Sequence, residues 1–171
     1  ASITINGHIY EGLPTPTREN YIFKGWFTDS KFKTSITKIS SGTTGNLKLY
    51  AKWDKKYSIT YSLNGGKNNA SNPTYYGKLS STITLKNPTR AGYTFKGWYT
   101  DSKYKTKITK ITQGSTGNKK LYAKWEIVNY SITYTLNGGK NNTSNPKTYK
   151  ITSNTITLKS PSKTGYSFKG W

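Results

Sequence analysis

The sequence has no cysteine, no methionine and a single histidine, His8. Without cysteine there are no disulfides, thiolate nucleophiles or thiolate metal sites. One histidine cannot form the cluster that zinc or iron sites use, so no metal site is expected, and no cofactor either. Acids are scarce: Glu11, Glu19, Asp29, Asp54, Asp101 and Glu126 are all 6 of them. No apolar run approaches the roughly 18 residues of a membrane-spanning helix. No signal peptide is visible, and with Ala1 first the chain reads as an internal piece of a longer protein. Aliphatic residues are thin as well. Leu, Ile, Val and Phe number 29 of 171 residues, a level at which a highly charged chain is suspected of disorder. The 15 Tyr and 5 Trp argue against disorder, because each ring buries about 150–250 Å² and the rings recur at fixed spacing.

That recurrence organises the chain. Tyr21-Ile22-Phe23-Lys24-Gly25-Trp26-Phe27-Thr28-Asp29 returns as Tyr93-Thr94-Phe95-Lys96-Gly97-Trp98-Tyr99-Thr100-Asp101 and begins again as Tyr166-Ser167-Phe168-Lys169-Gly170-Trp171. Leu49-Tyr50-Ala51-Lys52-Trp53 returns as Leu121-Tyr122-Ala123-Lys124-Trp125. Ile59-Thr60-Tyr61-Ser62-Leu63-Asn64-Gly65-Gly66 returns as Ile132 to Gly139. The offset is 72 residues before the second Trp and 73 after it, so the extra residue falls between copies, where insertions collect. Three units follow: residues 1–54 with a shortened front, a complete unit at 55–126, and residues 127–171 without a Leu-Tyr-Ala-Lys-Trp segment. Ile3-Thr4-Ile5 is the candidate first strand of the shortened unit.

Within a unit, Ile59 to Leu63 alternates apolar and polar, as a half-buried strand does. Asn64-Gly65-Gly66 supplies a turn. Ile83-Thr84-Leu85 is a second short strand. Residues 93–100 form the strongest strand, on which strict alternation puts Phe95 and Tyr99 on one face and Lys96 and Trp98 on the other. Leu121, Ala123 and Trp125 share one face of the last strand, with Tyr122 and Lys124 opposite. Phe23, Phe95, Leu121 and Trp125 are expected in cores. Asp101 precedes a stretch in which Ile108 and Ile111 are three apart, which predicts a short helical turn capped by Asp101. The expected class is a β-rich α+β fold, with one small sheet and one short helix per unit.

The pattern Ile-Thr-Tyr-x-Leu-Asn-Gly-Gly, then Pro-Thr-Arg-x-Gly-Tyr-x-Phe-x-Gly-Trp-Tyr-x-Asp, then Leu-Tyr-Ala-Lys-Trp resembles the Listeria–Bacteroides repeat, also known as the internalin B-type B-repeat. The likeness covers all of 55–126 and most of the flanking pieces. It implies tandem ubiquitin-like β-grasp units of an extracellular, surface-anchored or secreted bacterial protein. Pro161-Ser162-Lys163-Thr164-Gly165 departs from the Pro-Thr-Arg run, as does the short front of the first unit.

Little here can carry catalysis. A glycosidase needs two carboxylates facing one cleft, and the recurring acids Asp29/Asp101 and Asp54/Glu126 are distributed between units. Gly65-Gly66 and Gly138-Gly139 lack the spacing of a phosphate loop and read as turns. His8 has no copy elsewhere and reads as a surface residue. Charge is more informative. The middle unit has 14 basic residues and 2 acids, the third 6 and none, and the first 7 and 4. All but Arg18 and Arg90 are Lys, a hydrated point charge rather than the planar fork that reads bases and phosphates. No nucleic-acid readout motif accompanies them, so specific nucleic-acid binding is the least favoured reading. A non-enzymatic spacer and adhesion module is favoured, binding a cell-wall or host polyanion such as teichoic acid or a glycosaminoglycan. The candidate contacts are Lys103, Lys105, Lys107, Lys110, Lys119 and Lys120. The alternative is a carbohydrate-binding module that stacks sugars on exposed Trp and Tyr, with Trp26 and Trp98 as candidates and the strand-exposed Tyr50 and Tyr122 beside them; burial of those Trp rings under a loop or helix is the competing reading. Neighbouring domains of a longer chain are the other expected partners.

Overall fold

The computed structural model describes residues 12–171; His8, Glu11 and Ile3-Thr4-Ile5 lie outside the described residues. Among the described residues twelve strands follow one another: β1 (Tyr21–Phe27), β2 (Ser35–Ile36), β3 (Tyr50–Lys55), β4 (Tyr57–Ser62), β5 (Tyr75–Tyr76), β6 (Ile83–Thr84), β7 (Tyr93–Tyr99), β8 (Lys107–Ile108), β9 (Lys110–Ile111), β10 (Lys119–Ile127), β11 (Tyr130–Ser131) and β12 (Thr148–Tyr149). They assort into a three-stranded sheet β2-β1-β3, a five-stranded sheet β5-β4-β10-β7-β8 and two short pairs, β6-β9 and β11-β12. In the five-stranded sheet β4 and β10 run parallel, and the other pairs are antiparallel.

The sequence expectation of an α+β fold is corrected to an all-β one, because no helix occurs among the described residues. The Asp101 carboxylate explains why. It accepts backbone N–H bonds from Lys103 (3.0 Å), Lys105 (3.1 Å) and Thr106 (2.8 Å). Those donors are thereby spent on a closed loop, which the Thr100 N–H completes at 3.0 Å from the Thr106 carbonyl. Side-chain acceptors of this kind compete with helix formation, and Thr106, Thr109 and Thr112 are poor helix formers. Ile108 and Ile111 instead sit on β8 and β9, on either side of Thr109, whose carbonyl accepts from Leu85 at 2.9 Å.

Strict alternation also fails on β7. Lys124 pairs with Gly97 but Trp125 pairs with Phe95, leaving Lys96 as an extra residue. This β-bulge needs Gly97 at φ +132°, a region closed to ordinary side chains. It brings Phe95 and Trp98 onto the same face, with ring centroids 5.4 Å apart. The same bulge separates Phe23 from Trp26 on β1, with Gly25 at φ +115°. The Phe-Lys-Gly-Trp motif is thus a device for placing two aromatic rings in one core.

That core, in the middle copy, joins Ile59, Tyr76, Leu85, Trp98, Ile111, Leu121 and Ala123, with Phe95 and Trp125 packed at its edge. Trp125 donates to the Leu63 carbonyl at 2.8 Å, and Trp98 to that of Lys86 at 3.0 Å. Asn72, buried within the loop after β4, clamps Lys86 from both sides: its Oδ1 accepts the Lys86 N–H at 2.7 Å and its Nδ2 donates to the Lys86 carbonyl at 2.9 Å. In the first copy Phe23 packs between Trp26 and Trp53, at 5.6 and 5.4 Å. Asp54 ties the first copy to the middle one. Its buried carboxylate leaves β3 to accept the backbone N–H groups of Lys78 (3.1 Å) and Leu79 (2.7 Å) beyond β5.

Candidate functional site

Residues directly opposite one another in a sheet share a face, so the register defines the outer surface of the five-stranded sheet. Tyr99 lies between Tyr122 and Lys107. Along β10, Lys120, Tyr122, Lys124 and Glu126 alternate with the buried Leu121 and Ala123. Lysines and tyrosines therefore interleave. The Lys124 Nζ lies 5.6 Å from the centroids of both Tyr99 and Tyr104, and the Lys120 Nζ lies 5.4 Å from that of Tyr122. Tyr99 and Tyr104 meet edge to face at 5.5 Å. Tyr104 holds this position at φ +55°, a strained value for an aromatic residue, with its hydroxyl accepting from Asn64 Nδ2 at 2.9 Å. The first copy repeats the arrangement: Lys52 over Phe27 and Phe32 at 5.3 and 5.7 Å, Lys48 over Tyr50 at 5.4 Å.

The electrostatics leave this face strongly positive. Both acids of the middle copy are already engaged. Backbone donors, Thr106 foremost, hold the Asp101 carboxyl below its ordinary range. Glu126 is lowered first by its hydrogen bond from Lys96, 2.9 Å away, with Lys124 adding to the effect. Lys107 and Lys120 have no carboxylate within ion-pair distance among the described residues. Such a field attracts anions at long range and is screened by salt.

The six lysines singled out in the sequence do not form one cluster. Lys107 and Lys120 belong to the outer face. Lys103 and Lys105 are exposed on the Asp101 loop at its rim. Lys110 lies on β9, paired with Thr84 away from the five-stranded sheet, and Lys119 is half-buried opposite Ile59. Tyr122 was read from the sequence as strand-exposed, but Lys124, Tyr99 and Tyr104 were missed, although alternation with Leu121 and Ala123 already put Lys124 on the side of Tyr122. The stacking role expected of Trp26 and Trp98 is corrected. The bulge turns both rings inward, leaving them 4% and 2% exposed, and their indole N–H groups donate to the carbonyls of Pro14 and Lys86.

Sheets built on this motif, one copy after another, define a class of tandem repeat. The chain belongs to the Listeria-Bacteroides repeat family, whose domain matches residues 2–52, 57–124 and 130–171. It is 35% identical, over 95% of its length, to 18% of a protein of Evansella cellulosilytica named "Putative Gly-rich membrane protein". A second protein of that organism, named "Putative membrane protein", is 34% identical over 92% of the chain and 24% of its own length. Internalin H of Listeria monocytogenes is 33% identical over 72% of the chain and 23% of its own length. The chain thus spans about a fifth of the length of these curated relatives. No solved structure matches it significantly.

Proposed function

We propose that the chain is a non-enzymatic spacer and adhesion module of a bacterial surface or secreted protein, binding polyanions weakly through the outer faces of its sheets. The observation that carries this is the interleaved face of Lys107, Lys120 and Lys124 with Tyr99, Tyr104 and Tyr122. The ammonium groups of Lys120 and Lys124 are held above rings while the acids of that copy are engaged by Lys96 and by backbone N–H groups. Teichoic acid or a glycosaminoglycan fits such a face, because repeated anions on a flexible polymer need no single geometry. A location outside the cell is supported by the names of the relatives, one an internalin and two called membrane proteins.

The units are β-grasp modules in which a short strand replaces the helix. Support comes from the order β5-β4-β10-β7-β8, in which the first and last long strands of the unit lie parallel at the centre. Boundaries are proposed near 54/55 and 126/127, inside the gaps of the family matches at 53–56 and 125–129 and one residue before β3 ends at Lys55 and β10 at Ile127, and limited proteolysis tests them.

The binding test is retention on immobilised heparin and on a wall-polymer column. Retention at about 50 mM salt and release by about 300 mM is the expected result, with a log–log salt slope lowered by about 2–3 in the triple variant Lys107→Gln, Lys120→Gln, Lys124→Gln. Flow-through on both columns at low salt would leave the module a spacer alone.

A further inference from the structure

Successive copies are joined by very little chain. Lys56 alone separates β3 of the first copy from β4 of the middle one, and Val128 and Asn129 separate β10 from β11. Both linkers are pinned. The Lys56 N–H donates to the Asn20 carbonyl and the Val128 N–H to that of Gly92, each at 2.9 Å. Asn20 and Gly92 hold the same place, just before the first Tyr of the aromatic motif, and both have positive φ, +60° and +74°. Each linker is thus stapled back onto the copy it leaves.

Across each joint stands a turn of the following copy, after β5 in the middle copy and after β12 in the third. The turn is built alike in both. The Gly77 N–H donates to Ser80 Oγ at 3.0 Å, as the Lys150 N–H does to Ser153 Oγ at 2.9 Å. The Ser80 and Ser153 N–H groups return to the carbonyls of Gly77 and Lys150 at 3.1 and 3.0 Å. What the turn meets differs. At the first joint Asp54, 5% exposed, accepts the N–H groups of Lys78 and Leu79 at 3.1 and 2.7 Å. Its carboxylate lies against Gly77, where an added Cβ would overlap it. Gly77 is not among the positive-φ residues, so its missing side chain provides room rather than backbone freedom.

At the second joint that seat is closed. Lys150 stands where Gly77 stands in the middle copy. Glu126, at the place of Asp54, instead has its side chain 64% exposed and paired with Lys96 at 2.9 Å. A different fit takes over. Ile151, at the place of Lys78, presses on Gly92, where an added Cβ would stand 2.5 Å from two of its carbons. At the first joint those two places are held by Lys78 and Asn20. Each joint therefore has one glycine that receives one side chain from the other copy. The pairs change together: Asp54 with Gly77 at the first, Ile151 with Gly92 at the second.

We propose that the turn at 77–80, like its counterpart at 150–153, is a docking surface for the end of the preceding copy, and that the matched glycine pair at each joint fixes the angle between neighbours and decides which copy can precede which. A copy ending in Asp seats on a turn that begins with Gly. A copy with Gly before its aromatic motif seats on a turn that carries Ile. A mismatched order sets a carboxylate against a Cβ, or an isoleucine against an asparagine side chain. The proposal deepens the spacer reading and rests on it for its use: fixed joints hold neighbouring domains at a set distance, whereas relative motion is the default for domains without a specific contact. Buried bonds from N–H groups to a carboxylate are strong and little screened by salt, so the first joint holds under conditions that release a polyanion.

The test uses the 171-residue chain, whose lack of cysteine lets spin labels be placed in pairs. Labels on the exposed positions Lys31→Cys and Gln113→Cys report on the first joint, and on Gln113→Cys and Ser160→Cys on the second. Double electron–electron resonance is expected to give one narrow distance distribution for each pair, and that of the first joint stays narrow at about 300 mM salt. Gly77→Ala and Asp54→Ala each broaden the first distribution at least about twofold, and together they broaden it no further, because both break one contact. Ile151→Ala broadens the second and leaves the first alone. An unchanged near-ultraviolet circular dichroism spectrum shows that the copies themselves stay folded; if Gly77→Ala misfolds, Asp54→Ala carries the comparison. A broad distribution in the parent, or a narrow one in Asp54→Ala or Ile151→Ala, overturns the proposal. Retention on a polyanion column plays no part in this readout, so failed binding leaves the joints standing and a flexible joint leaves the binding standing.

Discussion

Replacing Trp98 by alanine strikes the motif where its burial is greatest. The indole is 2% exposed and packs on Phe95 at 5.4 Å and on Tyr61 at 5.2 Å. Truncating a tryptophan in such a site costs about 3–5 kcal/mol. The lost bond to the Lys86 carbonyl adds little, because Asn72 Nδ2 still donates to that oxygen at 2.9 Å. A unit of about 70 residues has roughly 4–10 kcal/mol of stability in all, so Trp98→Ala removes a third of it or more. At about 4–8 °C per kcal/mol for a domain this small, the transition of the middle copy falls by at least about 12 °C. Trp171→Ala alters the same motif in a copy where the ring is 52% exposed, and its effect stays within about 1 kcal/mol. Calorimetry together with urea titration by near-ultraviolet circular dichroism resolves the two variants. Equal shifts, or a Trp98→Ala transition within two or three degrees of the parent, would refute the assignment of Trp98 to a core built within its own copy.

The remaining expectations concern the carboxylates and phenols. Asp29 and Asp101 are held below the ordinary carboxylate range, chiefly by backbone N–H groups of Thr34 and Thr106; their stabilisation is present above about pH 4 and lost as pH falls through the folded values. Melting temperature should therefore drop on acidification, and Asp101→Asn should flatten that drop while lowering stability at neutral pH. Burial pushes the Tyr61 phenol up to about 12 and raises Tyr76 as well. Folding favours the neutral phenols, so stability is full below about pH 10 and declines above it; the decline should be shallower in Tyr61→Phe, measured against the parent at each pH so that lysine titration cancels. Asp54→Ala leaves the Lys78 and Leu79 N–H groups unpaired and should cost about 1–3 kcal/mol, with faster proteolysis at the junction as the second readout.

Much of this fold was legible because repetition marks what matters twice. The aromatic motif and the Leu-Tyr-Ala-Lys-Trp strand both appear as strands, and Leu121 and Trp125 face inward as alternation required. The errors have one origin. Alternation presumes an unbroken ladder, and the bulge at Gly97 breaks it, so Trp98 lies on the face of Phe95 and in its core rather than on the face of Lys96. The spacing of Ile108 and Ile111 misled in the same way: three residues with a bend at Thr109 put both side chains inward, just as one helical turn would. Asn72 was unreadable for a different reason. Its partner Lys86 lies 14 residues away, and only the recurrence of Asn-Pro at Asn72 and Asn145 hinted that the asparagine is structural.

Comparison between copies also separates fold from surface. Lys48 and Lys52 in the first copy correspond to Lys120 and Lys124 in the second, each over an aromatic ring. Lys107 and Lys119 have no such match: Ser35 and Leu47 stand at those positions. The difference in charge between the copies thus arises outside the Lys–aromatic ladder, while the ladder recurs. Cation–π contacts at exposed sites contribute only about 0.5–1 kcal/mol each, too little to offset much repulsion among unpaired lysines. On the proposed function, a polyanion bound to both copies would relieve that repulsion at every rung. Removing the ladder lysines from one copy should therefore lower the salt slope without abolishing retention, and removing them from both should lower it about twice as far.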